Sequence, residues 1–364
     1  MVRVLAVVGT RPELVKMAPV VRALDSHPAT EPRLLHTGQH YDAELNGAFF
    51  DVLGLPEPAK NLDVGSTGGA RQTADGLVGI DADIAEQEPA AVLTLGDTNA
   101  VLAATLAGAK RDTLVGHIEA GLRSYDRSMP EEVNRVVADH LSELLFAPTD
   151  SAVANLASEG IETGVTQTGN TVVDACLDHA PVAREQSDSL SRFGVEPDGY
   201  ALATIHRPHN TETPARLEGI CSALDGAPVP VVLPAHPRTE TAIEALGFEP
   251  DGSLILTEPQ GYLDFLALLD GARVVVTDSG GVQEEASVLE TPCLTVRPNT
   301  ERPETVEVGV NELIEPSALG ARLRTLATNV DARAAMTGHP DLYGDGNAGE
   351  RIVDALTEQL EVDG

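Results

Sequence analysis

Residues 274–289, VVVTDSGGVQEEASVL, decide the reading of this chain. An uninterrupted apolar run, 274–276, passes into Thr277, Asp278 and Ser279, then into Gly280 and Gly281, then into a stretch of helical composition. A short apolar run bounded by turn residues reads as a strand buried in a parallel sheet, and the residues after it read as a tight turn and a helix N-terminus. Such a helix start leaves backbone N–H groups unsatisfied at the positive end of the helix dipole, an arrangement that binds phosphate. Gly280 and Gly281 have no Cβ to hold an anion off the backbone. An ordinary strand–helix loop capped by Ser279 has the same local composition, so the rest of the chain must decide between the two.

On both sides of this stretch, apolar runs alternate with longer helix-like segments. Strands are expected at 3–8, 33–36, 91–95, 114–118, 144–147 and 165–168, with helices at 14–24, 43–53, 72–88, 99–109 and 131–141 between them. The pattern restarts with strands at 200–205, 229–233, 253–256, 273–277, 292–296 and 310–314. Alternation of this kind implies parallel sheets with right-handed crossovers. The expected fold is α/β, with two Rossmann-like doubly wound domains facing across a cleft. The first domain spans 1–169 together with a returning helix at about 348–364, and the second spans 170–347. At 364 residues the chain suits two domains of ordinary size.

The formal net charge is −33, from 57 acidic and 24 basic residues, and only Lys16, Lys60 and Lys110 are lysines. This excludes a nucleic-acid footprint, which needs a basic surface. The acidic residues are dispersed among apolar periodic segments, so the expectation is a folded protein whose acidic surface is adapted to a salt-rich cytoplasm. Cys176, Cys221 and Cys293 are far apart and lack metal-ligand spacing, which fits a reducing compartment. No apolar segment is long enough to span a membrane, and MVRVLAVVG reads as a strand and not a signal peptide.

In doubly wound sheets ligands bind beyond the carboxyl ends of the strands, and the polar residues of this chain gather there. Arg11 in GTRPE and Lys16 one turn later suit an anion, and Arg302 in NTERPE is a third cation for a diphosphate. Ser279, Gly280 and Gly281 supply the helix start. Glu284 and Glu285 are read into the first turn of that helix, where one caps and the other accepts hydrogen bonds from a ribose diol. Asp97 in GDT, Glu119 in EAG and Glu131 in PEE stand where general acids and bases belong. His206 opens HRPHN directly after a strand. His36 with His40, and His206 with His209, have spacings that mimic metal sites, but a glycine and a proline interrupt them, so no metal is expected.

GTRPE with Lys16, TGQH, GDT, HIEAGLRS, PEEVNR, the start of HRPHN, TDSGGVQEEA and RPNTERPE, in this order over nearly the whole chain, resemble the non-hydrolysing UDP-N-acetylglucosamine 2-epimerases. The resemblance implies a GT-B-type fold, a C-terminal helix returned to the first domain, and a homodimer. It also implies interconversion of UDP-GlcNAc and UDP-ManNAc with no cofactor. Carried over by motif, Asp97, Glu119, Glu131 and His206 are implied as catalytic. Arg11, Lys16, Arg135, Ser279, Gly280, Gly281, Glu285 and Arg302 are implied as substrate contacts, Glu285 on the ribose. Relatives hold a second UDP-GlcNAc as activator on residues that Gln39, Arg71, Gln72 and His236 resemble. The chain departs from the family pattern beside this site, since Pro208 and His209 stand here where the family commonly has a Glu-Asn pair.

Overall fold

The computed structural model describes residues 1–38 and 47–362. It divides into two compact units, residues 1–175 with 343–364 and residues 176–342. The first is built on a sheet of β1 (Val2–Val8), β2 (Thr30–His36), β3 (Lys60–Asn61), β4 (Ala91–Leu95), β5 (Leu114–Ile118), β6 (Leu144–Ala147) and β7 (Val165–Gln167). The second is built on β8 (Ala201–Thr204), β9 (Val231–Pro234), β10 (Leu254–Thr257), β11 (Val275–Thr277), β12 (Cys293–Thr295) and β13 (Asn311–Leu313). Every described strand pair is parallel.

Strand order is β3-β2-β1-β4-β5-β6-β7 in the first sheet and β10-β9-β8-β11-β12-β13 in the second. Counted from its own first strand, each sheet begins 3-2-1-4-5-6, the doubly wound order in which chain direction across the sheet reverses beside the first strand. The crevices at that reversal lie between β1 and β4 in one unit and between β8 and β11 in the other. Local sequence signals place the strands to within a residue or two in most cases; β3 is the exception. It has two polar residues, Lys60 and Asn61, paired with Leu35 and His36, and so offers no periodicity to read.

The sheets are buried because helices cover both faces. Val4–Val8 and Val274–Val276 are at most 2% exposed. The core of the second unit joins β8, β9, β11 and β12 to the helices Pro214–Asp225 and Pro316–Thr328 through Leu217, Leu224, Leu319 and Leu323. In the first unit the helix Ala348–Val362 returns to pack on the helix Arg11–Ser26. Gly349 allows this approach, since a Cβ there would come 2.9 Å from the carbonyl of Pro19, and its N–H donates to Asp174 at 2.8 Å. The chain passes into the second unit within the helix Thr171–Gln186.

Candidate active site

In the first unit the loops after β1 and β4 meet at the sheet's reversal. The helix Arg11–Ser26 starts directly after Gly9 and Thr10, whose N–H groups donate to Glu13 Oε2 at 2.6 and 2.9 Å. Thr98, after β4, donates its hydroxyl to Glu13 Oε1 at 2.6 Å, so one carboxyl ties both loops. Burial lifts the Glu13 carboxyl from 4.5 to about 7, against the three donors that favour its charged form. Arg11, at the first helical position, lies over the Phe49 ring at 5.6 Å.

Asp97 and Glu119 follow adjacent parallel strands, β4 and β5. Asp97 pairs with Arg135 of the helix Pro130–Leu141, whose guanidinium is buried and held from its other side by Glu132 at 2.9 Å. Asn134 donates to the Asp97 carbonyl at 2.9 Å. Glu119 accepts from Lys16 Nζ at 2.5 Å and from Asn170 Nδ2 at 3.2 Å. Its backbone is left-handed, φ +68°, which costs a non-glycine residue about 1–2 kcal/mol and persists only where surroundings impose it. Within PEE the two glutamates differ. Glu132 is buried and accepts from Arg135 and from the Ser124 and Tyr125 N–H groups, whereas the half-buried Glu131 makes no side-chain hydrogen bond or ion pair with the described residues.

The second unit repeats the scheme around β8 and β11. The Asp278 carboxylate is fully buried and accepts from the N–H groups of His206 (3.1 Å) and Arg207 (3.0 Å) and from Asn210 Nδ2 (2.9 Å). His206 Nδ1 lies 3.0 Å from the same carboxylate, while the ring is 45% exposed and Nε2 bonds to none of the described residues. A carboxylate on Nδ1 fixes that proton and presents Nε2 outward. Burial pushes the Asp278 carboxyl up, and the bonds from His206, Asn210 and Arg207 outweigh it, leaving it below the usual carboxylate range.

The helix after β11 runs Gly280–Val288, so Glu284 and Glu285 begin its second turn and not its first, a correction to the sequence reading. Neither caps it. Glu284 is fully buried and accepts from Arg302 Nε at 2.7 Å, while Glu285 stays half-buried. The Ser279 side chain makes no capping bond. The Arg302 guanidinium sits over Gly280, where a Cβ would touch its Cζ at 3.6 Å. A Cβ on Gly281 would meet none of the described residues within 4 Å, so their packing does not require glycine there.

The structure thus gathers Arg11, Lys16, Asp97, Glu119 and Arg135 at the carboxyl ends of β1, β4 and β5, and His206, Ser279, Gly280 and Arg302 at those of β8 and β11. Glu13 and Asp278 tie these loops together without having been singled out in the sequence. Glu13 had a readable signal, the T-x-x-E spacing of a capping box from Thr10. Gln39 and His40 lie outside the described residues. Arg71 pairs with Asp75, Gln72 binds Gly65 and Asn99, and His236 accepts from the Arg238 N–H. Among the described residues no group of three or more His, Cys, Asp or Glu could hold a metal ion, and no helix is long and apolar enough to cross a membrane.

Two doubly wound units carried by one chain, with their polar groups at the sheet reversals, define the GT-B class of fold. Residues 22–357 match the model of the family described as UDP-N-acetylglucosamine 2-epimerase. The UDP-N-acetylglucosamine 2-epimerase of Methanocaldococcus jannaschii is 40% identical, over 96% of this chain and 98% of that protein. Its crystal structure in complex with UDP-GlcNAc and UDP superposes with a TM-score of 0.88, over 98% of this chain and 99% of that one. The UDP-2,3-diacetamido-2,3-dideoxy-D-glucuronate 2-epimerase of Pseudomonas aeruginosa is 38% identical, over 98% of this chain and 99% of that protein. The chain belongs to the UDP-N-acetylglucosamine 2-epimerase family, and its enzymatic class is that of an epimerase.

Proposed function

We propose that this protein is a non-hydrolysing epimerase that interconverts UDP-GlcNAc and UDP-ManNAc. The observation that carries the proposal is the pair Asp97 and Glu119, leaving adjacent strands, each with a basic side chain on its carboxylate. Inversion at C2 requires a proton to leave one face and another to reach the opposite face, and positioned carboxylates are suited to both transfers. In the forward direction the C2–H bond and the bond from C1 to the UDP oxygen break, and a C1=C2 double bond forms. The products of this step are a 2-acetamidoglucal and UDP. The reverse addition restores the C1–O bond and delivers the proton to C2 from the other side.

Asp97, Glu119 and Glu131 are the acid/base group of this reading. The departing diphosphate gains charge in the transition state, so cations and N–H donors aimed at it lower the barrier. Arg11, Lys16, Arg135, His206 and Arg302 serve in that role or orient the groups that do. Ser279, Gly280 and Gly281 supply N–H groups to phosphate, and the open space over Gly281 supports this. Glu285 takes the ribose, as the family resemblance implies. The reading extends to a homodimer in a salt-rich cytoplasm that supplies a sugar nucleotide for polysaccharide synthesis.

Incubation with UDP-GlcNAc alone in D2O at molar KCl tests the proposal. Deuterium at C2 and accumulation of UDP-ManNAc are expected, with no acceptor needed. Free N-acetylmannosamine with stoichiometric UDP would mean hydrolysis. Turnover only when a second sugar is supplied would mean glycosyl transfer. Because the Pseudomonas relative is named for a diacetamido glucuronate, that UDP-sugar is run in parallel, and a preference for it would overturn the substrate assignment.

A further inference from the structure

We propose that Asp139 is a positioning residue whose buried carboxylate, acting through a doubly protonated His117, locks together the turns that carry Asp97 and Glu119. The proposal rests on the acid/base reading of those two carboxylates, and adds to it a group that touches neither of them.

His117 lies within β5 and is fully buried. Its Nε2 is 2.8 Å from the Gly96 carbonyl oxygen, which has no proton to give, so Nε2 donates. Its Nδ1 is 2.7 Å from Asp139 Oδ1. The other oxygen of Asp139 accepts from the Gly121 N–H at 3.1 Å and from Arg123 at 2.7 Å, the pattern of an ionised carboxylate. Nδ1 therefore donates as well, and the ring holds both protons and a positive charge.

The groups facing this imidazolium are consistent with that charge. Asp139 comes from the helix Pro130–Leu141, and Glu119 lies two residues along the chain. Arg123 stands beyond Asp139 and is neutralised by Glu159 through two bonds of 2.8 Å, and Lys16 stands beyond Glu119. Burial opposes the charge, and Asp139, the Gly96 carbonyl and Glu119 together outweigh it, raising His117 above its ordinary value.

The mechanical effect falls on three left-handed residues, Gly96 (φ +85°), Glu119 (φ +68°) and Gly121 (φ +83°). Gly96 donates its N–H to Ile118 at 3.1 Å while its carbonyl is held by His117, so both sides of this residue are fastened to β5. Gly121 is held by Asp139, and a Cβ there would lie 2.2 Å from the Ala152 carbonyl. Between these anchors Asp97 extends from one turn and Glu119 from the other. Gly96 and the Glu119 carboxylate already approach closely, since a Cβ on Gly96 would stand 3.5 Å from Glu119 Oε2. A buried, charged ring sets this spacing.

Two measurements on the full chain in molar KCl test the proposal. In protein labelled with ¹⁵N at histidine, the His117 ring, assigned by its absence from His117→Gln, should show both nitrogens protonated at about pH 7.5, above the ordinary histidine value of about 6.5. A bare nitrogen, or titration at the ordinary histidine value, overturns the proposal. In Asp139→Asn the kcat for C2 deuterium exchange should fall by about a hundredfold, the scale of a small misplacement of catalytic groups, with UDP affinity within about twofold of the parent. Exchange within about threefold of the parent, or a parallel loss of exchange and UDP binding, assigns Asp139 to architecture alone. If the parent itself fails to exchange, the epimerase reading falls, and the ring's protonation state still decides whether this lock exists.

Discussion

Glu13 and Asp278 are acidic side chains with no evident substrate to face, yet each closes the reversal point of its sheet. Asp278 holds two backbone N–H groups, one amide and one imidazole nitrogen. In Asp278→Asn the proton on His206 Nδ1 loses its fixed acceptor and two N–H groups lose a charged partner. C2 exchange should fall by about a hundredfold, and denaturant titration should show a loss of about 2–3 kcal/mol. Full activity in that variant would remove His206 Nε2 from the reaction. Asp97→Asn and Glu119→Gln should each cut exchange by at least about a hundredfold while calorimetry finds UDP still bound. Binding that disappears with turnover would mean that these carboxylates hold nucleotide and do not move protons.

Glu13 also carries a pH signature. With its value lifted from 4.5 to about 7, the folded protein keeps a proton that the unfolded chain releases. The resulting stability is complete below about pH 4.5 and is lost as pH rises through about 7, a change of about 3 kcal/mol. Glu13→Gln has no such proton to release. The Tm difference between parent and variant, followed from about pH 5 to about pH 8, should move steadily in favour of the variant. A difference that stays constant over that range would show that Glu13 is ionised throughout.

At the scale of the element, the helix Gly280–Val288 separates packing from function. Gly280 lies under the Arg302 guanidinium, but none of the described residues occupies the place of a Gly281 side chain. Gly281→Ala should leave thermal stability unchanged or raise it by up to about 1 kcal/mol, because alanine is the better helix former. UDP affinity should fall at least about tenfold if a phosphate approaches the backbone there. Unchanged affinity would return this helix start to the ordinary capped loop it resembles in sequence. Part of the element is legible in the sequence: the buried strand, the turn and the helix start all come from local composition. The engagement of Glu284 by Arg302 is not, because that bond joins residues 18 apart, with a strand between them.

For the molecule as a whole, the net charge of −33 predicts that stability and activity depend on salt. Several arginines are already engaged, Arg111 with Asp81, Arg184 with Asp270 and Arg351 with Asp345, so the surplus of carboxylates repels itself. Screening shortens from about 10 Å at 0.1 M salt to about 3 Å at 1 M. Thermal scans should therefore show Tm rising by several degrees from dilute buffer to molar KCl, with activity rising alongside. A protein equally stable and active in both would not be salt-adapted.

The alternation of apolar runs and helical segments, the punctuation between them and the residue types at strand ends were determined by the sequence alone. These are local properties: burial on both faces makes a strand continuously apolar, and helix starts demand particular residues. The order of the strands was decided only in the tertiary structure, and with it the meeting of loops far apart in the chain. Thr98 reaches Glu13 across 85 residues and Asp278 reaches His206 across 72, and no periodicity records such a contact. The same physics separates Glu131 from Glu132 and Glu285 from Glu284. Local composition does not tell such neighbours apart, and the fold buried one of each pair against an arginine.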